Sequence, residues 1–84
     1  MGYKLVYTQR SAKEISKLSS DIKERIRKSL EKYADDPFLY AKKMVDSTLG
    51  TYRFRVGDYR IIFDIEDDEI IILRVGKRED IYRN

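Results

Sequence analysis

The stretch that decides the fold of this chain is Tyr52-Arg53-Phe54-Arg55-Val56-Gly57-Asp58-Tyr59-Arg60-Ile61-Ile62-Phe63. Apolar and basic residues alternate along much of it, which is typical of β-strands with one buried face and one exposed face. Gly57-Asp58 is a two-residue turn signal, so we expect the second strand to fold back and place Arg60 directly opposite Arg55. Because like charges at opposed positions destabilise a sheet, a face that carries Arg53, Arg55 and Arg60 indicates an anion-binding site.

The composition limits both the size and the chemistry of this protein. Its 84 residues predict a single domain, residues 1–84. The chain contains no cysteine and no histidine, which excludes thiol nucleophiles, disulfides, zinc-finger sites and histidine-based acid–base catalysis. We expect no cofactor and no metal site, since the acidic residues match no metal-ligand spacing. The lack of cysteine fits a cytoplasmic protein, and no apolar run is long enough to span a membrane.

The charge distribution favours an anionic partner. The net charge is +3 and the isoelectric point is about 9.2. Residues 51–84 hold eight acidic residues, but five of them lie between Asp64 and Glu69, where we expect a solvated turn. The basic residues of this half therefore form a separate patch, which suits a polyanion. This patch consists of Arg53, Arg55, Arg60, Arg74, Lys77 and Arg78.

The first half of the chain is predicted to contain one strand and two helices. Residues 3–8 are aromatic and β-branched, as in a strand. Ser11-Ala12-Lys13-Glu14 matches a capping box and predicts a short helix that opens there. Ser19-Ser20-Asp21 caps a second helix, which ends at Asp35-Asp36-Pro37. The positions expected to face the core are Ala12, Ile15 and Leu18 in the first helix and Ile22, Ile26, Leu30 and Tyr33 in the second.

The second half is predicted to contain three strands, near residues 51–56, 59–65 and 69–75. A three-residue connection before the last strand would set Arg74 beside Arg60, whereas a two- or four-residue connection would turn Arg74 inward. We prefer the first register because burying an unpaired arginine is costly. It places Ile71, Leu73 and Val75 on the core face. Residues 37–50 are predicted to be a loop held by apolar anchors, namely Phe38, Leu39, Met44, Val45 and Leu49.

The predicted architecture is α+β, with a helical hairpin packed on one face of a largely antiparallel four-stranded sheet and the arginines on the other face. This order of elements, the Gly57-Asp58-Tyr59-Arg60 hairpin and the closing Val75-Gly76-Lys77-Arg78 and Ile81-Tyr82 resemble the RelE/ParE superfamily of type II toxins. The resemblance covers essentially the whole chain. It implies a RelE-like, microbial-ribonuclease type of fold and a toxin that a cognate antitoxin protein neutralises in a hetero-complex. The RelE branch of this family cleaves mRNA in the ribosomal A site, whereas the ParE branch inhibits DNA gyrase.

The resemblance also assigns roles to residues. The two basic positions that the RelE branch uses on one strand correspond to Arg53 and Arg55, and the arginine of its next strand corresponds to Arg60. The arginine of its closing glycine-basic-arginine motif corresponds to Arg78, and its C-terminal tyrosine corresponds to Tyr82. We therefore predict these five as catalytic residues. Lys77 and Arg74 are expected to bind RNA. The best-studied members have lysines where Arg53 and Arg55 stand, so these two arginines are expected to stabilise charge rather than transfer protons.

This set of residues suits attack of an RNA 2′-hydroxyl on the adjacent phosphate. The pentacoordinate state carries extra negative charge on its non-bridging oxygens, which arginine forks bind well. Tyr82 could stack on a base, orient the 2′-hydroxyl or act as a base. The sequence thus predicts a metal-independent endoribonuclease that acts on ribosome-bound mRNA. The alternatives are a ParE-like or inactive toxin that binds a protein without cleaving RNA, and a general nucleic-acid-binding domain that uses the basic helices. The strand arginines Arg53 and Arg55 could also merely pair with Asp64 or the acidic turn.

Overall fold

The computed structural model describes residues 2–45 and 48–82. The strands form one sheet in the order β1-β5-β4-β3-β2, in which β1 runs parallel to β5 and the other neighbours are antiparallel. This confirms the α+β class, although the sheet has one strand more than the predicted four. Along the chain, the elements are β1 (Lys4–Tyr7), α1 (Gln9–Ser16), α2 (Ser20–Asp35), α3 (Pro37–Tyr40), β2 (Lys42–Lys43), β3 (Tyr52–Val56), β4 (Tyr59–Glu66), β5 (Glu69–Lys77) and α4 (Arg78–Ile81).

The additional strand, β2, lies in the segment that was predicted to be a loop. Its residues Lys42 and Lys43 pair with Arg53 and Tyr52 of β3. A strand of two residues is too short to show a period-two pattern, so the sequence could not reveal it. Among the predicted anchors of this segment, Met44 is buried and Leu49 packs beside it. Phe38 is 55% exposed, but its ring meets Tyr3 and Tyr52 edge-on. The prediction was wrong for Leu39 and Val45, which are exposed.

Helix α1 begins earlier than the sequence predicted. Thr8 is its N-cap, and the Thr8 side-chain oxygen accepts a hydrogen bond from the Ser11 N–H at 3.1 Å. The predicted capping box at Ser11 was therefore wrong. Thr8 is preferred because its hydroxyl also donates to the Ile72 carbonyl of β5, which ties the helix start to the sheet. The shift buries Ser11 and leaves Ala12, a predicted core position, exposed.

The main core lies between the helical hairpin and the sheet. Ser19 caps α2 as predicted, and Ile26 and Leu30 are buried on its inner side. They meet Phe54 and Phe63, which are fully buried and stack with their ring centroids 4.1 Å apart. Burial of one such side chain contributes about 1.5–3 kcal/mol, so this cluster contributes strongly to holding α2 on the sheet.

The register of β4 and β5 differs from the prediction. Their connection has two residues, Asp67 and Asp68, which puts Ile70 and Ile72 on the core face instead of Ile71 and Leu73. A bulge at Ile62/Phe63 then inserts one residue into β5 and changes the side that the following residues face. As a result, Val75 is buried as predicted, but Arg60 lies opposite Gly76 and Arg74 lies opposite Ile62.

A second, smaller apolar cluster covers part of the opposite face of the sheet. Ile62 alternates along β4 with the core residues Ile61 and Phe63, so it points away from the helical hairpin. It packs with the buried Met44 and Ile81, the last of which belongs to α4. The helix α4 therefore closes over one half of this face, and the other half carries the arginines. Within residues 2–45 and 48–82, no helix is long and apolar enough to cross a membrane.

Candidate functional site

Two pairs of like charges lie side by side on the sheet. Arg55 is opposite Arg60 across the β3–β4 hairpin, as predicted, and Lys42 is opposite Arg53 across β2 and β3. Gly57 makes the hairpin turn possible because it adopts a φ of 60°. Opposed residues share a face, and so do residues two apart on one strand, so all four cations point to the same side. Each pair destabilises the sheet, which indicates that this arrangement serves binding.

The four cations line one cavity of about 110 Å³ together with Tyr40. The ion pairs found among residues 2–45 and 48–82 involve Arg27 and Arg74, and none of them includes a cation of this cavity. Asp64 was considered a partner of the strand arginines, but its Oδ1 accepts a hydrogen bond from the Thr51 N–H at 2.7 Å instead. The cavity is therefore strongly positive and suited to a phosphate or another small anion.

Tyr82 is held beside the cavity by Arg53. The Arg53 Nη1 donates a hydrogen bond to the Tyr82 hydroxyl oxygen at 3.1 Å. The helix before Tyr82 is anchored at both ends, since the Arg78 N–H donates to the Asp58 carbonyl at 2.9 Å and Ile81 is buried. Tyr82 itself remains 40% exposed. The structure thus brings together an aromatic hydroxyl and a guanidinium that lie far apart in the sequence.

Three of the remaining predicted site residues, Arg60, Lys77 and Arg78, lie near the hairpin turn. The fourth, Arg74, lies beside α1. The Arg60 Nη1 donates to the carbonyls of Gly57 and Tyr59 at 3.0 and 3.1 Å, which orients its guanidinium at the hairpin. Arg78 and Lys77 are exposed at the same end of the sheet, where Lys77 is the partner of Tyr59. These basic residues therefore surround the turn at the edge of the cavity.

Arg74, a predicted RNA-binding residue, is neutralised within the fold. Its Nε and Nη2 each lie 3.0 Å from the carboxylate of Glu14 in α1. The other carboxylate oxygen accepts from the Val75 N–H at 2.9 Å. Strand β1 pairs with β5 only as far as Ile72. Beyond Ile72, the Glu14 carboxylate accepts a hydrogen bond from the backbone N–H of Val75 in β5, as a neighbouring strand would otherwise do. Arg74 consequently brings no free charge to the cavity.

Two residues of the cavity were missed by the sequence analysis, namely Tyr40 and Lys42. Both belong to the segment that was predicted to be a loop, where no periodicity is present. The available signal was the lysine pair Lys42-Lys43 shortly after an aromatic residue. That signal alone does not tell which of the two lysines faces the arginines, because only the pairing of β2 with β3 decides it.

Other electrostatic features lie away from the cavity. The pKa of Tyr7 is raised, mainly by burial and further by the negative charge of Glu31. The pKa of Glu24 is lowered by its hydrogen bond to Arg27. In the part of the chain that the structure describes, no group of three or more acidic side chains is placed to hold a metal ion.

The chain matches the family model of the ParE toxin of the type II toxin–antitoxin system parDE over residues 5–82. It belongs to the RelE/ParE superfamily of type II toxins. It is 30% identical over 90 aligned positions to the toxin RelG of Mycobacterium tuberculosis, with 99% of both chains covered. It is 29% identical over 82 positions to the mRNA interferase toxin RelE of Escherichia coli, with 94% of this chain and 86% of that relative covered.

The fold is similar to that of solved toxins. It matches a chain in the crystal structure of the toxin–antitoxin complex RelBE2 from Mycobacterium tuberculosis with a TM-score of 0.82 and 25% identity. The match covers 93% of this chain and 100% of the RelBE2 chain. Together with the RelE names of the relatives, this confirms the predicted superfamily and its RelE branch.

Proposed function

We propose that this toxin is a metal-independent endoribonuclease that cleaves mRNA in the ribosomal A site and thereby inhibits translation in the cytoplasm. The observation that carries the proposal is the cavity in which Lys42, Arg53, Arg55 and Arg60 meet beside Tyr82. The similarity to the Escherichia coli mRNA interferase toxin RelE supports it. Cations placed at the non-bridging oxygens stabilise the negative charge that develops there when an RNA phosphodiester is cleaved.

The proposed reaction is attack of the RNA 2′-oxygen on the adjacent phosphorus. The bond from phosphorus to the 5′-oxygen of the next nucleotide breaks, and a cyclic phosphate and a 5′-hydroxyl result. Negative charge builds up on the non-bridging oxygens, where Arg55 and Arg60 donate N–H groups from the two strands of the hairpin. Their guanidinium groups remain charged throughout. One preorganised donor of this kind typically contributes about 2.7–4 kcal/mol to stabilising the transition state.

We assign proton movement to Tyr82. Its hydroxyl oxygen accepts from Arg53 at 3.1 Å, so the hydroxyl hydrogen is directed away from Arg53. During the attack the Tyr82 oxygen takes the proton of the 2′-hydroxyl, while its own hydrogen passes by way of a non-bridging phosphate oxygen to the departing 5′-oxygen. The proton lost by the nucleophile is thus balanced by the one that the leaving group gains, and Tyr82 ends as a neutral phenol. The arginines of the site transfer no protons. Arg78 adds positive charge at the start of α4, on the exposed side of the hairpin turn.

The ribosome is expected to supply the rest of the binding energy. The chain has no histidine, so no imidazole is available as a general acid or base. A free enzyme with this site should cleave slowly, because positioning the reacting atoms accounts for a large share of catalysis. Bound in the A site, the mRNA is already unpaired and oriented for attack.

The test is primer extension on a translated message with the purified toxin. Arg60→Ala should lower the cleavage rate by about 10²–10³-fold. Arg10→Ala, an exposed arginine of α1, is the matched control and should cleave like the wild type. Folding of each variant is checked by circular dichroism and thermal melting. Equal cleavage by a folded Arg60→Ala variant would remove Arg60 from the catalytic site, and a wild-type toxin that leaves the translated message intact would remove the ribonuclease proposal.

Metal independence is tested on ribosomes kept assembled by polyamines while a chelator removes free divalent cations. Cleavage should persist, because we assign every charged role at the site to arginine and lysine side chains. The control is sedimentation of the ribosomes, which shows that they stay intact. Loss of cleavage on intact ribosomes, restored by one divalent metal, would contradict this part of the proposal.

A second candidate function is inhibition of DNA gyrase through protein contacts, as in the ParE branch. The description of the matching family model, which names the ParE toxin, favours it. A supercoiling assay with purified gyrase separates the two functions. Inhibition of supercoiling by a protein that leaves ribosome-bound mRNA intact would support the gyrase function and exclude the ribonuclease.

We further propose that a cognate antitoxin neutralises this toxin. The similar chain of the RelBE2 structure belongs to a toxin–antitoxin complex. An acidic, amphipathic antitoxin segment would complement the charge of the sheet face that carries Arg53, Arg55 and Arg60 (the arginine face). Alternatively, it would displace the C-terminal segment that carries Tyr82. Such a complex should form faster at low salt and should raise the melting temperature of the toxin. An adjacent small gene product that does not bind would contradict this mode of neutralisation.

A further inference from the structure

The cavity is lined by four cations and one aromatic ring. Its volume is about 110 Å³, and the cations are Lys42, Arg53, Arg55 and Arg60. Their N–H groups suit the oxygens of a phosphate group. A base next to a bound phosphate would then lie near the aromatic side chain of the lining, Tyr40.

Tyr40 provides an aromatic surface at the rim of the cavity. It is the last residue of α3, lines the cavity and is 36% exposed. Its ring lies against Tyr33 with the centroids 4.6 Å apart, and Tyr33 packs in turn on the buried Phe54 at 4.7 Å. The Tyr33 hydroxyl also donates to the Arg55 carbonyl at 3.2 Å. The core thus supports the Tyr40 ring at a fixed position relative to the phosphate-binding arginines.

Cations border this ring. Lys42 follows two residues later, in β2, and is exposed on the face that it shares with Arg53. From α2, Lys32 places its ammonium 5.4 Å from the centroid of the Tyr40 ring. An aromatic platform flanked by positive charges is the arrangement with which proteins bind single-stranded nucleic acid, because every base has a face that can stack.

We propose that Tyr40 and Lys42, which both line the cavity, form a subsite for single-stranded RNA at its rim. The Tyr40 ring stacks on the base of the nucleotide next to the bound phosphate, and Lys42 binds a phosphate oxygen of the same segment. This inference rests on the proposed function and adds a binding element that is separate from the reacting groups. Both residues act on substrate binding, so their loss should raise KM more than it lowers kcat.

An acidic peptide is the alternative occupant of this surface. Carboxylates would also pair with Lys42 and Arg53, but they would gain nothing from the aromatic ring at the rim. The combination of a cavity lined by four cations with an exposed ring that packs on Tyr33 therefore favours RNA. Binding of the antitoxin to the same variants decides between the two.

The experiment uses two readouts on the purified toxin. The first is cleavage of ribosome-bound mRNA, and the second is binding of a fluorescent 2′-O-methylated RNA oligonucleotide, which cannot be cleaved. Tyr40→Ala should weaken oligonucleotide binding by about 5- to 150-fold, the range for loss of one stacked base. Tyr40→Phe keeps the ring and should bind like the wild type. Lys42→Ala should reduce the slope of log affinity against log salt by about 0.7.

The matched controls are two neighbouring residues that are not among the lining residues of the cavity, Lys43 and Leu39. Lys43→Ala removes a lysine of the same strand that is paired with Tyr52, on the alternate face. Leu39→Ala removes a 70% exposed side chain of the same short helix as Tyr40. Both variants should bind the oligonucleotide and cleave like the wild type. A comparable loss in either control would show that the effect is general and would overturn the subsite.

The outcomes separate this inference from the proposed function. If a folded Tyr40→Ala variant binds the oligonucleotide as tightly as the wild type while the wild type cleaves mRNA, the subsite is wrong and the ribonuclease stands. If the wild type leaves ribosome-bound mRNA intact, the ribonuclease is wrong, and the oligonucleotide still decides the subsite. A wild type that fails to bind the oligonucleotide at low salt also overturns the subsite. Weakened antitoxin binding with unchanged RNA binding would assign the surface to an acidic peptide instead.

Discussion

Replacing Arg55 with glutamine should make the toxin more stable and less active. Arg55 lies directly opposite Arg60 and shares its face with Arg53 two residues earlier. Two unit charges about 6 Å apart in a medium close to water repel each other by about 0.7 kcal/mol. With the weaker repulsion from the more distant cations, Arg55→Gln should raise the free energy of unfolding by about 1 kcal/mol. For a domain of this size that is an increase in melting temperature of about 4–8 °C.

The measurement is thermal unfolding at low and high ionic strength. The Debye length falls from about 30 Å at 0.01 M salt to about 3 Å at 1 M, so salt should stabilise the wild type more than Arg55→Gln. The control Arg10→Gln removes an exposed charge of α1 and should change little. The Tyr33 bond to the Arg55 carbonyl involves the backbone, so the substitution leaves it in place. The reasoning would be refuted if Arg55→Gln melted at or below the wild-type temperature at low salt, or if both proteins responded equally to salt.

Three further predictions concern the fold. Arg74→Met should melt at a lower temperature, because it leaves the half-buried Glu14 carboxylate without its ion pair. The variant should retain the cleavage rate per folded molecule. A loss of cleavage at unchanged stability would restore the RNA-binding role of Arg74. Burial raises the pKa of Tyr7. The contribution of Tyr7 to stability is therefore present below about pH 10 and is lost as the pH rises further. Tyr7→Phe should make the melting temperature fall less steeply above that pH, and a profile equal to that of the wild type would show that ionisation of Tyr7 does not cause the fall. Gly57→Ala should destabilise the toxin by about 1–3 kcal/mol, because an alanine in this turn would have to keep a φ of 60°. The end of the Arg25 side chain, which its Cβ would meet, can move away. Urea unfolding that matches the wild type would contradict this.

Local signals in the sequence were sufficient for the hairpin and the long helix. Gly57 adopts the left-handed conformation that the turn needs, and this alone sets Arg55 opposite Arg60. Ser19 caps α2, and the 3.6-residue period places Ile26 and Leu30 in the core. Each of these features depends on residues a few positions apart, which is why they could be predicted. The arginine face followed from them directly.

Non-local contacts decided what the sequence did not show. Thr8 replaced Ser11 as the cap because it also reaches the Ile72 carbonyl across the sheet. The register of β5 depended on a bulge, and Arg74, which lies opposite Ile62 instead of beside Arg60, pairs with Glu14, sixty residues away in the chain. No local pattern carries such information.

The cavity is the clearest case of this division. The alternation of residues in β3 determined that Arg53 and Arg55 share one face. That Lys42, Tyr40 and Tyr82 join them was decided by tertiary structure, through the pairing of β2 with β3 and the packing of α4. The physical reason is that a turn and a period-two pattern act between neighbours in the chain, whereas the edge pairing of a two-residue strand exists only once the sheet it joins has formed.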